Sequence, residues 1–190
     1  LLLDQSGNMD FPSGIGNSKR IDILRFSANI LTYVIQEENG LGIVSFDQNP
    51  HDALSFVRPL WPVSPFDTDR TSIKSASSGF SPNINGSTAI WNGIERSQLR
   101  LNLVSGYNSK SIFVFTNNHK TASKYIANVS DQINDRVFTI GLGKTENIKP
   151  SALNAIVNSN GEYLLLTDTL NDNSIFKLAN RVCKLCFFPI

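Results

Sequence analysis

Five short apolar runs constrain this chain more than any other feature: Leu1 to Leu3, Leu41 to Phe46, Ile112 to Phe115, Val137 to Ile140 and Tyr163 to Leu166. Each is nearly continuous rather than alternating. A strand that is apolar at every position is buried on both faces, and that is the condition of a strand inside a parallel sheet with helices packed above and below. The segments between the runs carry helical spacing. Ile21, Leu24, Ala28, Leu31 and Ile35 recur every three or four residues and stripe one face of a helix opening near Ser18. Ala122, Ile126, Val129 and Ile133 repeat the pattern, as do Ile175, Leu178, Val182 and Cys186. Ser87 or Thr88 is placed to cap a helix carrying Ile90, Ile94 and Leu101, and Pro150 suits the first turn of a short helix that ends before Gly161.

The stretch from His51 to Val63 breaks the alternation, because it follows the run ending at Phe46 with no helix between. It reads as a strand antiparallel to Leu41–Phe46, and Pro59 and Pro62 confine it to an edge, since proline has no N–H for a central ladder. Ser64 to Asn85, rich in Ser, Thr, Pro and Asn, reads as a surface loop with at most one helical turn. The predicted architecture is α/β, a doubly wound and mostly parallel sheet with one antiparallel edge strand and helices on both faces. With no internal repeat or linker, residues 1–190 form one predicted domain. A chain that opens on Leu1 rather than Met reads as a piece of a longer protein.

Composition narrows the partners. The 17 Lys and Arg offset 16 Asp and Glu to leave a net charge of +1, which argues against a nucleic-acid binder, a class that carries a basic face. Charged residues are 17% of the chain, against roughly 25% in an average domain. The difference is made up by 21 Asn and 22 Ser, so the surface is hydrogen-bonding rather than ionic. No apolar stretch reaches the length of about 18 residues that a membrane-spanning helix needs.

In an open parallel sheet, ligands bind beyond the carboxyl ends of the strands, near the point where strand order reverses. The first run leads into Asp4, Gln5, Ser6, Gly7 and Asn8, the second into Asp47, and the third into Thr116, Asn117 and Asn118, while Thr88 precedes the helix before that third run. Asp4, Ser6, Asn8, Thr88 and Asn117 are therefore expected to converge, and all offer oxygen. An oxygen set without His or Cys suits Mg²⁺, Ca²⁺ or Mn²⁺ rather than zinc. Asn118 and Asp47 stand beside it as candidate partner-binding residues. Asp47 brings a second carboxylate if its loop leans toward the site; the alternative is a turn residue bonded to nearby backbone N–H groups.

Taken in order, the segments Leu1–Met9, Lys19–Leu24, Gly42–Asp47, Gly86–Ile90, Phe113–Asn118 and Val137–Gly143 resemble a von Willebrand factor type A domain, over essentially the whole chain. The family's metal-ion-dependent adhesion site uses Asp-x-Ser-x-Ser after the first strand, a Thr before the third helix and an Asp after the fourth strand. The hydroxyls bind the cation directly, the aspartates act mainly through water, and a partner's carboxylate often completes the octahedron. Asp4, Ser6 and Thr88 match that pattern. Asn8 stands where the second Ser is expected, Asn117 where the Asp is expected, and Asn118 replaces a glycine. One carboxylate then remains where the family has two. A unit charge lost a few Å from a divalent ion costs on the order of a kcal/mol or more. The resemblance thus implies a protein-binding or adhesion module, extracellular or at the cell surface, with weak or lost dependence on Mg²⁺, Ca²⁺ or Mn²⁺ and a protein partner that presents an acidic side chain. The alternative is a structural or assembly domain of a larger surface or secreted protein whose metal site has decayed.

Other motifs carry less. Cys183 and Cys186 fall in the last amphipathic stretch rather than at a helix start and read as core residues. Asn85 and Asn128 head glycosylation sequons that a chain this rich in Asn and Ser produces by chance. Gly14 and Gly16 lack the third glycine of a dinucleotide fingerprint, and Ser174 with Lys177 matches an acyl-transfer pattern only inside a helix with a core face. His51 and His119 have no evident partner in sequence, and Trp61 and Trp91 read as packing residues. No catalytic machinery is visible, and a non-enzymatic role is expected.

Overall fold

A computed structural model describes residues 1–34, 39–57, 68–117, 133–143, 148, 150–157 and 163–166. The strands are β1 (Leu2–Asp4), β2 (Leu41–Phe46), β3 (Pro50–Val57), β4 (Ser111–Thr116), β5 (Arg136–Leu142) and β6 (Tyr163–Leu166). The helices are α1 (Arg20–Val34), α2 (Thr68–Ser78), α3 (Ile90–Asn102) and α4 (Pro150–Ile156). The strands form one sheet in the order β3-β2-β1-β4-β5-β6. All pairs are parallel except β2 with β3. All five apolar runs are strands, and the antiparallel edge strand lies where the sequence places it. Residues 58–63 of that predicted strand, with Pro59 and Pro62, lie outside the described residues.

The sheet separates two apolar layers, as strands buried on both faces require. On one side Leu3, Phe115, Ile140 and Leu142 meet Ile21, Leu24, Ala28 and Leu31 of α1. On the other, Leu2, Val44, Phe46, Val114 and Val137 meet Ile90, Trp91 and Ile94 of α3. The predicted stripe of α1 is thus its buried face, with Ile35 outside the described residues. The third helix lies so close to the sheet that a Cβ on Gly93 would come within 2.9 Å of Leu2 Cδ1. Asp52 of β3 pins the exposed side of α3 by accepting hydrogen bonds from Arg96, at 3.0 Å from its Nε, and from Arg100.

Two expectations are corrected. The Ser- and Thr-rich stretch read as a loop contains α2, eleven residues long. Its few apolar side chains decide the matter: Ile73 is fully buried with Phe80 in the core beside α1, and Arg25 of α1 donates its Nε–H to the Phe80 carbonyl at 2.7 Å. Packing of one narrow face against α1 overrides weak helix propensity. Nor does Ser87 or Thr88 cap α3. The N-cap is Ala89, without a side-chain cap, and its N–H donates to the carbonyl of Asp47 at 2.7 Å. The residue that follows β2 thus satisfies the N–H at the N-cap and ties the start of α3 to the sheet. Pro150 does open α4. The predicted helices around Ala122–Ile133 and Ile175–Cys186 fall in segments that are not described, apart from Ile133. Among the described residues, no helix is long and apolar enough to cross a membrane.

Candidate functional site at the carboxyl edge of the sheet

Register alone aligns the site. Leu3 lies opposite Phe115 and Asp4 opposite Phe46, so the chain leaves β1 at the level where β4 ends in Thr116. Asp4 is fully buried there. Its Oδ1 accepts the N–H of Ser6 at 2.8 Å, and its Oδ2 accepts the Thr116 hydroxyl at 2.7 Å. Burial raises the Asp4 pKa above the ordinary carboxylate value. The Thr116 and Ser6 hydroxyls and the N–H groups of Ser6 and Asn117 work against that rise. The Ser6 hydroxyl acts at a distance, because its Oγ is buried without a hydrogen bond of normal geometry. Asn117 is 3% exposed and bound to Asp4 through its backbone N–H.

Thr88, also fully buried, reaches this edge on a loop clamped from two sides. On one side the loop joins the segment after β1: Asn83 N–H donates to Gln5 O at 2.7 Å and Gly7 N–H donates to Gly86 O at 3.1 Å. Gly7 is required here by close approach, since a Cβ would sit 2.4 Å from the Ile84 carbonyl oxygen. On the other side Asp47 holds the loop, accepting Asn83 Nδ2–H at 2.8 Å as well as the N–H of Asn49 at 2.9 Å. His51, for which the sequence shows no partner, places Nε2 3.2 Å from Asp47 Oδ1. Burial pushes the Asp47 pKa up, but these bonds outweigh it and hold it below the ordinary value. Asp47 is therefore a turn residue that fastens the Thr88 loop, with both carboxylate oxygens bonded to the protein.

Asn8 begins to close a 3-10 turn (Gly7–Asp10), and its carbonyl accepts Arg20 Nη1 at 3.2 Å. Arg20 is a charged neighbour of the cluster that sequence reasoning missed. It opens α1, lies 5.9 Å from the Phe11 ring centroid, and rests against Gly143, where a Cβ would come within 3.1 Å of Nε. Burial lowers the Arg20 pKa, and the charge of Asp4 opposes that shift, so the two groups feel one another. The only signal in sequence is a basic residue at the start of the first helix, where the positive end of the helix dipole disfavours it. Between Asn8 and Arg20, Gly14 and Gly16 take positive φ in a loop closed by Ser13, which accepts the Ile15 N–H at 3.0 Å and donates to Ser18 O at 2.8 Å. That segment is a folded turn, not a phosphate cradle.

The structure thus brings Asp4, Ser6 and Asn117 together, ties the loop that carries the buried Thr88 to the segment after β1, and puts Asn8 in that same segment. Asn118, like His119, Asn128, Cys183 and Cys186, lies outside the described residues. By donor chemistry the set suits a hard cation, and the buried Ser6 oxygen without a partner is free to ligate one. By charge it fits poorly, with one carboxylate and a guanidinium in electrostatic contact with it. No group of three or more His, Cys, Asp and Glu that could hold a metal occurs among the described residues. Two exposed apolar side chains, Phe11 at 56% and Ile84 at 77%, stand on the two loops that bound the cluster.

No protein-family model matches the sequence, and no curated protein matches it. Solved structures do. The chain is similar to BatB of Bacteroides thetaiotaomicron, at 14% identity and a TM-score of 0.71 over 97% of this chain and 96% of the other. A von Willebrand factor type A structure from Catenulispora acidiphila gives 15% identity and a TM-score of 0.71, over 96% of this chain and 41% of that one. The PilB minor pilin of Streptococcus sanguinis gives 15% and 0.69, over 97% and 59%. Strand order, the antiparallel edge and these superpositions agree that the chain has the von Willebrand factor type A fold.

Proposed function

We propose that this domain is a protein-binding module, that its partner docks on the carboxyl edge of the sheet, and that docking has little or no dependence on a divalent cation. The carrying observation is the pair of exposed apolar side chains, Phe11 and Ile84, on the two loops that flank the polar cluster of Asp4, Ser6, Asn8, Thr88 and Asn117. Exposed apolar side chains supply the anchors of a protein-recognition patch, and polar groups beside them supply its hydrogen bonds. The two Asn substitutions support the cation-independent half of the reading, because amide groups offer donors and acceptors without the charge that attracts Mg²⁺. The role is one of binding rather than catalysis, and an extracellular or cell-surface setting is in keeping with a pilin among the proteins that share the fold.

The second reading, a structural or assembly domain that binds elsewhere, has one observation in its favour. A cavity of about 500 Å³ opens at the opposite edge of the sheet, lined by Leu1, Leu31, Leu41, Leu103, Tyr107 and Phe113 among others. Selection of displayed peptides in the presence of chelator separates the two. Binders are expected to lose at least tenfold in capture on Phe11→Ser or Ile84→Ser and to be unaffected by Leu103→Ser. Loss on Leu103→Ser alone would move the binding surface to the cavity edge and overturn the first reading.

A further inference from the structure

We propose that Arg20 is the resident cation of the carboxyl edge, and that its guanidinium, rather than a bound metal, receives a side-chain carboxylate of the protein partner. The inference rests on the proposed docking edge and names the chemistry recognised there. Arg20 is half-buried, and burying a guanidinium is costly unless it is paired. Yet its only hydrogen bond among the described residues is Nη1 to the Asn8 carbonyl at 3.2 Å. Nε is buried with no partner, and no carboxylate lies within ion-pair distance of the side chain among the described residues. The group is held in place nonetheless, by Phe11 on one side and Gly143 on the other. Fixing an arginine by packing while leaving donors unused is pre-organisation for an anion.

Asp4, the acid whose charge it feels, does not satisfy it. Asp4 spends Oδ1 on Ser6 N–H and Oδ2 on the Thr116 hydroxyl. Its presence also selects among anions, since a doubly charged phosphate meets twice the repulsion from Asp4 that a carboxylate meets. Lys19, the neighbouring cation, is already paired with Asp10 at 2.8 Å. Phe11, exposed beside the guanidinium, gives the partner an apolar surface next to its acid.

The test uses two pools of synthetic peptides with amidated C termini and random apolar-rich flanks, one fixed at Glu in the centre and one at Gln, with chelator present. A third pool, Gln-centred with a free C-terminal acid, asks whether a chain terminus serves instead. Wild type is expected to bind the Glu pool at least tenfold tighter than the Gln pool, with a preference that shrinks as salt rises. Arg20→Gln should abolish that preference and Arg20→Lys should retain part of it, with melting curves confirming that both variants are folded. Equal binding of the Glu and Gln pools, still lost on Phe11→Ser, would overturn the role of Arg20 and leave the docking edge standing, as would a preference confined to the free C-terminal pool. Binding of neither pool, or binding unmoved by Phe11→Ser and Ile84→Ser, would overturn both.

Discussion

Replacing Gly7 by alanine is expected to destabilise the domain by about 3 kcal/mol, from overpacking and two weakened hydrogen bonds. The added methyl would lie 2.4 Å from the Ile84 carbonyl oxygen and 3.0 Å from the Ile84 carbonyl carbon. Both atoms are backbone, so no side chain can rotate away. The loop must retreat, and with it go the bonds from Asn83 N–H to Gln5 O and from Gly7 N–H to Gly86 O. Because Thr88 follows Gly86 by two residues, the damage spreads from stability to the site. Urea unfolding should show the lower midpoint with an unchanged slope. The matching change at Gly16, where a Cβ would meet nothing within 4 Å, carries only the strain of its φ of +54° and is expected to cost less.

Asp4→Ala is expected to lose a similar amount, about 3 kcal/mol, for a different reason. The substitution strands three buried donors, the N–H groups of Ser6 and Asn117 and the Thr116 hydroxyl, each of which costs about 1–3 kcal/mol when left unmet. Removing a carboxylate that burial disfavours returns part of that sum. Asp4→Asn keeps one acceptor and drops the charge, so it should fall within about 1 kcal/mol of wild type. Thermal melting separates the cases, since roughly 3 kcal/mol corresponds to a drop of about 6–12 °C in a domain of this size. A fall as large in Asp4→Asn as in Asp4→Ala would mean that the charge itself holds the edge together.

The parts of the fold that were legible in sequence are those whose signal is local. A strand buried on both faces must be apolar at consecutive positions, so β2, β4 and β5 announce themselves. Helix α1 does so through the spacing of Ile21, Leu24, Ala28 and Leu31. Helix α2 was hidden because its stability comes from outside itself, through the packing of Ile73 and Phe80 against α1, while its own Ser and Thr residues point toward a loop. The site divides in the same way. Asp4, Ser6 and Asn8 are fixed by the turn after β1, and Asn117 by the register of β4 against β1, so strand order predicts their meeting. What sequence spacing does not convey is the tie between loops that are far apart in the chain. Asp47 looked like either a metal-site acid or a turn residue, and only its bonds to Asn83 and Asn49 assign it to the turn. Arg20 drew no reading from the sequence, and only folding lays it beside Asn8, Phe11 and Gly143.

Cation dependence tests the account most directly. Melting midpoints of the wild-type domain should be the same in chelator and in millimolar Mg²⁺, Mn²⁺ or Ca²⁺, because a cation that binds only the native state must raise the midpoint. Restoring the second carboxylate with Asn117→Asp, together with Asn8→Ser and Arg20→Gln, should create a cation-dependent rise of several degrees. A clear rise in the unmodified domain with any of the three ions would contradict the claim that this edge works without a metal.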